Sequence, residues 1–115
     1  MSRIYTVAVV GGGIGRSHIV EGYETNRDRY RVIAVCDLDA TRRNALADEF
    51  GIERRVEKFD DLLAMDDLDI IDVCTPPMVH YPMVVAALQA GKHVICEKPL
   101  VGSLAEVDEI ISWRR

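Results

Sequence analysis

Apolar and polar positions alternate in blocks along this chain, and the blocks read as strands and helices taking turns. Ile4–Val10 is an apolar, β-branched run halted by glycines, the pattern of a central strand buried on both faces. A helix is expected from Ile14 to about Glu24, then a second apolar strand over Arg31–Asp37. Asp39 or Thr41 can cap the next helix, which runs to Phe50 with Gly51 just past its end. Val56–Phe59 is a short charged strand, its lysine and glutamate suited to a sheet edge. Asp60–Ala64 reads as a helical turn, and Asp69–Thr75 as a fourth strand stopped by Pro76 and Pro77. Met78–Ala90 is a helix that tolerates Pro82 in its first turn, and Gly91 ends it. His93–Glu97 is a fifth strand, and Ser103 caps a last helix, Leu104–Trp113, with Glu106 in the capping-box position.

Strands alternating with helices predict an α/β fold: a three-layer, doubly wound parallel sheet of Rossmann type. Right-handed crossovers give about five strands in the order 3-2-1-4-5. Such a sheet binds ligands at the carboxyl ends of its strands, where strands one and four diverge.

The chemistry-bearing residues gather at those ends. Gly11-Gly12-Gly13-Ile14-Gly15 follows the first strand, where a tight turn must let backbone N–H groups approach a pyrophosphate. Gly11 suits the turn, Gly13 the close approach and Gly15 the packing of helix on strand. A strict G-x-G-x-x-G count does not fit: it places Arg16 sixth or Val10 first. A ligand-free glycine turn stays open for the loop alone. Asp37 ends the second strand at about the spacing of a carboxylate that holds an adenosine ribose. It favours NAD over NADP, because a 2′-phosphate would be repelled. Arg42 and Arg43 read as ordinary surface charge and keep NADP open; Asp37 itself has a helix-capping alternative. Thr75 and Pro76 border the crevice, or simply stop a strand, and His80 follows on the next helix. His18 reads as a helix-packing residue. Glu97 and Lys98 end the fifth strand, either as a surface ion pair or with the lysine polarising a substrate hydroxyl or carbonyl during hydride transfer.

The order of these pieces resembles the N-terminal domain of the Gfo/Idh/MocA oxidoreductases. The matching stretches are VAVVGGGIGRSH (7–18), VIAVCDLD (32–39), DVCTPPMVH (72–80) and AGKHVICEKPL (90–100), together covering essentially the whole chain. The resemblance implies a cofactor-binding domain of an NAD(P)-dependent dehydrogenase or reductase acting on a sugar, polyol or related alcohol. Lys98 would be the catalytic residue, binding substrate and assisting proton transfer. Gly11, Gly13, Ile14, Gly15, Asp37, Thr75, Pro76, His80, Glu97 and Lys98 would bind the cofactor. The glycine loop is one residue shorter than the family spacing, and Pro77 stands where many members have asparagine. Family enzymes are about three times longer, so residues 1–115 are expected to form one dinucleotide-binding domain, lacking the last strand and the C-terminal α+β domain. Such a piece is expected to be inactive alone. The alternative is a non-catalytic nucleotide-sensing or interaction module on the same fold.

Composition narrows the partners. The 115 residues suit one domain, and a net charge of −5 argues against nucleic acid or an anionic membrane surface. No apolar run is long enough to span a bilayer. Three scattered cysteines, Cys36, Cys74 and Cys96, suggest reduced thiols in a cytoplasmic protein and lack the spacing of a metal site. A homo-oligomer is expected, since the fifth strand is an apolar edge.

Overall fold

The computed structural model describes residues 3–75 and 80–96, the side chain of His80 excepted. Five parallel strands form one sheet in the order β3-β2-β1-β4-β5. They are β1 (Tyr5–Val10), β2 (Tyr30–Cys36), β3 (Arg54–Val56), β4 (Ile70–Val73) and β5 (His93–Cys96). The helices are α1 (Gly12–His18), α2 (Ala40–Phe50), α3 (Phe59–Leu63) and α4 (His80–Gln89). The expected strand order is therefore found.

The period of two in a strand sorts side chains to the two faces. Val7, Val9 and Val35 pack with Ile19, Leu46 and Ala47 on the side of α1 and α2. Ala8, Val10, Ala34 and Cys36 pack with Leu62 and Ala87 on the side of α3 and α4. Both faces of β1 are thus covered, which explains the buried apolar run Val7–Val10.

One register shift prepares the site. Val7 pairs with Val32 but Ala8 pairs with Ala34, so Ile33 is an extra residue in β2. The shift brings Val10 level with Cys36, and Gly11 N–H donates to the carbonyl of Cys36 at 2.9 Å. The glycine loop and Asp37 therefore leave the sheet side by side.

Several boundaries differ from expectation. The helix expected from Ile14 to Glu24 starts at Gly12 and is not uniform. After α1 it widens to a π-helical turn, Ile19–Tyr23, and tightens to a 3-10 turn, Glu24–Asn26. The third strand lies at Arg54–Val56 rather than Val56–Phe59. Phe59 instead opens α3, with Asp60 and Asp61 in its first turn, where carboxylates favour a helix N-terminus. Its ring packs against the core of that face. The fourth strand ends at Val73 rather than Thr75. Ser103, the helix expected over Leu104–Trp113, and Glu106 lie outside the described residues. Among the described residues, no helix is long and apolar enough to cross a membrane.

Candidate functional site

The three expected glycine positions meet three different surroundings. Gly11 caps α1 with φ +98°, and a Cβ there would stand 2.7 Å from the carbonyl oxygen of Cys74. Only glycine meets both demands. Gly15 is buried against β1, where a Cβ would stand 2.4 Å from Cγ1 of Val9. Gly13 is the opposite case, with nothing within 4 Å of an added Cβ. Ile14 beside it is half exposed, an apolar side chain available to a flat ligand surface.

Asp37 is tied to this loop. Its Oδ2 accepts from the backbone N–H of Gly12 at 2.9 Å, and its Oδ1 from that of Asp39 at 2.9 Å. Arg42 donates from Nε and a terminal nitrogen to the two oxygens, at 3.2 Å each. Burial would raise the pKa of this carboxyl; the Asp39 N–H, Arg42 and the Gly12 N–H outweigh it and hold the group below the usual carboxylate range. Arg43 donates to the backbone carbonyl of Asp37 at 2.8 Å. Arg42 and Arg43, read from sequence as plain surface charge, thus fasten Asp37 from outside. Their place in the first turn of the helix that follows Asp37 is the signal that was available.

A second cluster lies under the loop. Ile71 and Val73 face α3 and α4, so Asp72 and Cys74 face α1. Asp72 is fully buried. Its Oδ2 accepts from the hydroxyl of Tyr23 at 2.6 Å and lies 2.7 Å from Nδ1 of His18. Its Oδ1 accepts from the thiol of Cys74 at 3.3 Å. Burial first, and then the bond to Asp72, push the Tyr23 hydroxyl far above its ordinary pKa, so it stays a donor. His18 is a helix-packing residue as expected, but it packs on a carboxylate. The missed signal was an aspartate inside an apolar strand, which must find partners when buried.

The remaining expected residues divide. Thr75 is half-buried at the carboxyl end of β4, its hydroxyl 3.5 Å from the sulfur of Met83. Cys96 pairs with Val73, and Val73 with Val10, so the ends of β5, β4 and β1 stand level. Pro76, Glu97 and Lys98 lie outside the described residues; His80 begins α4, with its side chain outside them too. A cavity of about 460 Å³ lies at the other end of the sheet, between Tyr23, Arg27, Tyr30 and Phe50. It is remote from the glycine loop and Asp37, which stand at the carboxyl ends, where sheets of this kind bind nucleotides.

The family model described as "Oxidoreductase family, NAD-binding Rossmann fold" (GFO_IDH_MocA) matches residues 5–114. The chain is 36% identical over 97 residues to D-glucoside 3-dehydrogenase of Escherichia coli (strain K12), a match covering 81% of this chain and 26% of that protein. It is 34% identical over 111 residues to inositol 2-dehydrogenase of Salmonella paratyphi B (strain ATCC BAA-1250 / SPB7), covering 90% of this chain and 31% of that one. The crystal structure of GenD2 from gentamicin A biosynthesis in complex with NAD is similar with a TM-score of 0.89 at 32% identity, covering 98% of this chain and 32% of that one. The chain spans roughly a quarter to a third of the length of these proteins.

Proposed function

Because this chain belongs to the GFO_IDH_MocA oxidoreductase family, with its NAD-binding Rossmann fold, we propose that it holds NAD for an enzyme moving a hydride between the cofactor and a sugar, polyol or related alcohol. The bond from Gly12 N–H to Asp37 carries this reading. It makes the open glycine turn and the carboxylate one unit, suited to a pyrophosphate and the neighbouring ribose.

The residues present fit the dinucleotide. Gly11 and Gly15 shape the loop, Gly13 leaves room for phosphate oxygens, and Ile14 offers apolar cover. Asp37 would accept the ribose hydroxyls. Arg42 is the partner able to yield to them: its side chain is 63% exposed, and its bonds are the longest of those on the carboxylate. A 2′-phosphate would meet the Asp37 charge instead, which favours NAD over NADP.

When bound, the nicotinamide supplies the hydride acceptor or donor. The chain's own contribution beyond binding is assigned to the segment after β5. Lys98 would exchange the proton of the substrate hydroxyl, and Glu97, Thr75, Pro76 and His80 would line the nicotinamide side. The sugar or cyclitol substrates named for the relatives support a polyhydroxylated alcohol as substrate class. Residues 1–115 alone are proposed to bind cofactor weakly and to turn over nothing.

Isothermal titration calorimetry with NADH and NADPH tests the proposal. A saturable heat is expected with NADH by the millimolar range, and a weaker one with NADPH. Absence of binding in a sample shown to be folded by circular dichroism would overturn the reading, and tighter binding of NADPH would overturn the role of Asp37.

A further inference from the structure

The cluster of His18, Asp72 and Cys74 joins an imidazole nitrogen, a carboxylate oxygen and a thiol sulfur within 4.8 Å of one another. Its arrangement argues against a nucleophilic triad. In such a triad the base uses one ring nitrogen for the nucleophile and the other for the carboxylate. Here Asp72 Oδ2 at 2.7 Å and Cys74 Sγ at 3.3 Å both approach Nδ1 of His18. Three groups aimed at one point describe a ligand set instead.

We propose that His18, Asp72 and Cys74 form a three-ligand site for a borderline-soft divalent cation of the Zn²⁺ type, with water as fourth ligand. Imidazole, carboxylate and thiolate are the donors that zinc accepts. Tetrahedral coordination with bonds of about 2.0 Å to nitrogen and oxygen and about 2.3 Å to sulfur sets the sulfur about 3.5 Å from each of the others, and nitrogen about 3.3 Å from oxygen. The sulfur already lies 3.3 Å from Nδ1 of His18 and 3.3 Å from Oδ1 of Asp72. The approach of Nδ1 to Oδ2, 2.7 Å, must open by about half an ångström, and because imidazole and thiol meet different oxygens of Asp72, the carboxylate must also turn to present one of them to the cation.

The surroundings suit the role. The Tyr23 hydroxyl donates to Oδ2 of Asp72 and orients the carboxylate, as outer partners of metal ligands do. Asp72 and Cys74 are buried, while the His18 side chain is 22% exposed and gives the cation a way in. Cation uptake removes the thiol proton of Cys74 to solvent, and the imidazole carries its proton on Nε2; one proton leaves per cation bound to neutral histidine. The site would clamp α1 to the end of β4. The Cβ of Cys74 lies 4.0 Å from the Cβ position of Gly15, so that clamp sits beneath the glycine loop. Sequence spacing conceals it, because two ligands are neighbours on β4 and the third comes from α1.

Titration of the full chain with Co²⁺, a spectroscopic stand-in for Zn²⁺, tests the site. One equivalent should bind with tetrahedral visible bands and a thiolate-to-cobalt charge-transfer band, and Zn²⁺ should bleach both. Cys74→Ser should lose the charge-transfer band while keeping its circular dichroism, and His18→Gln should weaken binding by about tenfold or more. Cys96→Ser, which leaves the site untouched, should behave as wild type. No cobalt bands in the folded wild-type chain would overturn the proposal. A charge-transfer band that survives Cys74→Ser, or disappears in Cys96→Ser, would overturn it too.

Discussion

Gly13 and Gly15 stand two positions apart in one helical turn and carry opposite constraints. An alanine methyl at 15 would sit 2.4 Å from Cγ1 of Val9, inside a packed core, whereas at 13 it meets nothing within 4 Å. Alanine in a helix gains up to about 1 kcal/mol over glycine, and overpacking a core costs roughly 1–3 kcal/mol. Gly15→Ala should therefore lower the melting temperature. Gly13→Ala should leave it unchanged or raise it, yet weaken NADH binding, because its methyl fills the space proposed for phosphate oxygens. Thermal melts and cofactor titrations of the pair check this, and equal melting temperatures for the two variants would contradict it. At this scale the site was partly legible. The turn at Gly11 and the packing at Gly15 could be read from the loop, and the place of Asp37 beside it from the strand end. What stayed hidden was contact between distant residues, such as His18 on Asp72. No local pattern encodes a partner 54 positions away.

The elements show where local physics suffices and where packing overrides it. α2 was legible at both ends because its punctuation is chemical. The Asp39 side chain accepts from the N–H groups of Thr41 and Arg42, and Gly51 ends the helix at φ +66°. Asp39→Ala should cost about 1 kcal/mol of stability by denaturant unfolding. Because the cap also sets the turn that presents its N–H to Asp37, NADH affinity should fall as well. Unchanged stability would show that the bonds to Thr41 and Arg42 are replaced by water. The π-helical turn was not legible. In a regular α-helix His18 and Tyr23 would point about 140° apart. The wider turn, closed by Glu24 N–H on the carbonyl of Ile19, lets both reach Asp72. The buried carboxylate, not a helix propensity, selects that conformation. The third strand was displaced for a similar reason: Phe59 is worth more in the core at the start of α3 than on a sheet edge.

For the whole molecule, sheet order followed from alternation and crossover handedness, which needed no knowledge of any single contact. The two ends of that sheet are held by carboxylates. At the amino ends, Asp69 accepts from the N–H and hydroxyl of Thr6 and pairs with Arg3, joining the entry of β4 to β1. The Thr6 N–H, above all, holds its carboxyl below the usual range. At the carboxyl ends Asp37 joins β2 to the glycine loop, and its pKa is lowered as well. A carboxyl whose pKa is lower folded than unfolded stabilises the fold above its unfolded value, about 3.9 for aspartate, and that contribution disappears as pH falls toward the folded value. Glu49 and Asp67 are lowered too, by arginine partners, but those pairs are exposed and contribute little in water. Melting temperature should therefore be flat from neutral pH down to about pH 5 and fall steeply below about pH 4. Asp69→Asn should melt lower at neutral pH and show a shallower acid limb, since one of the two protonations that weaken the fold has been removed. An acid limb of unchanged steepness in that variant would place the acid sensitivity elsewhere, with Asp37 the next carboxylate to replace.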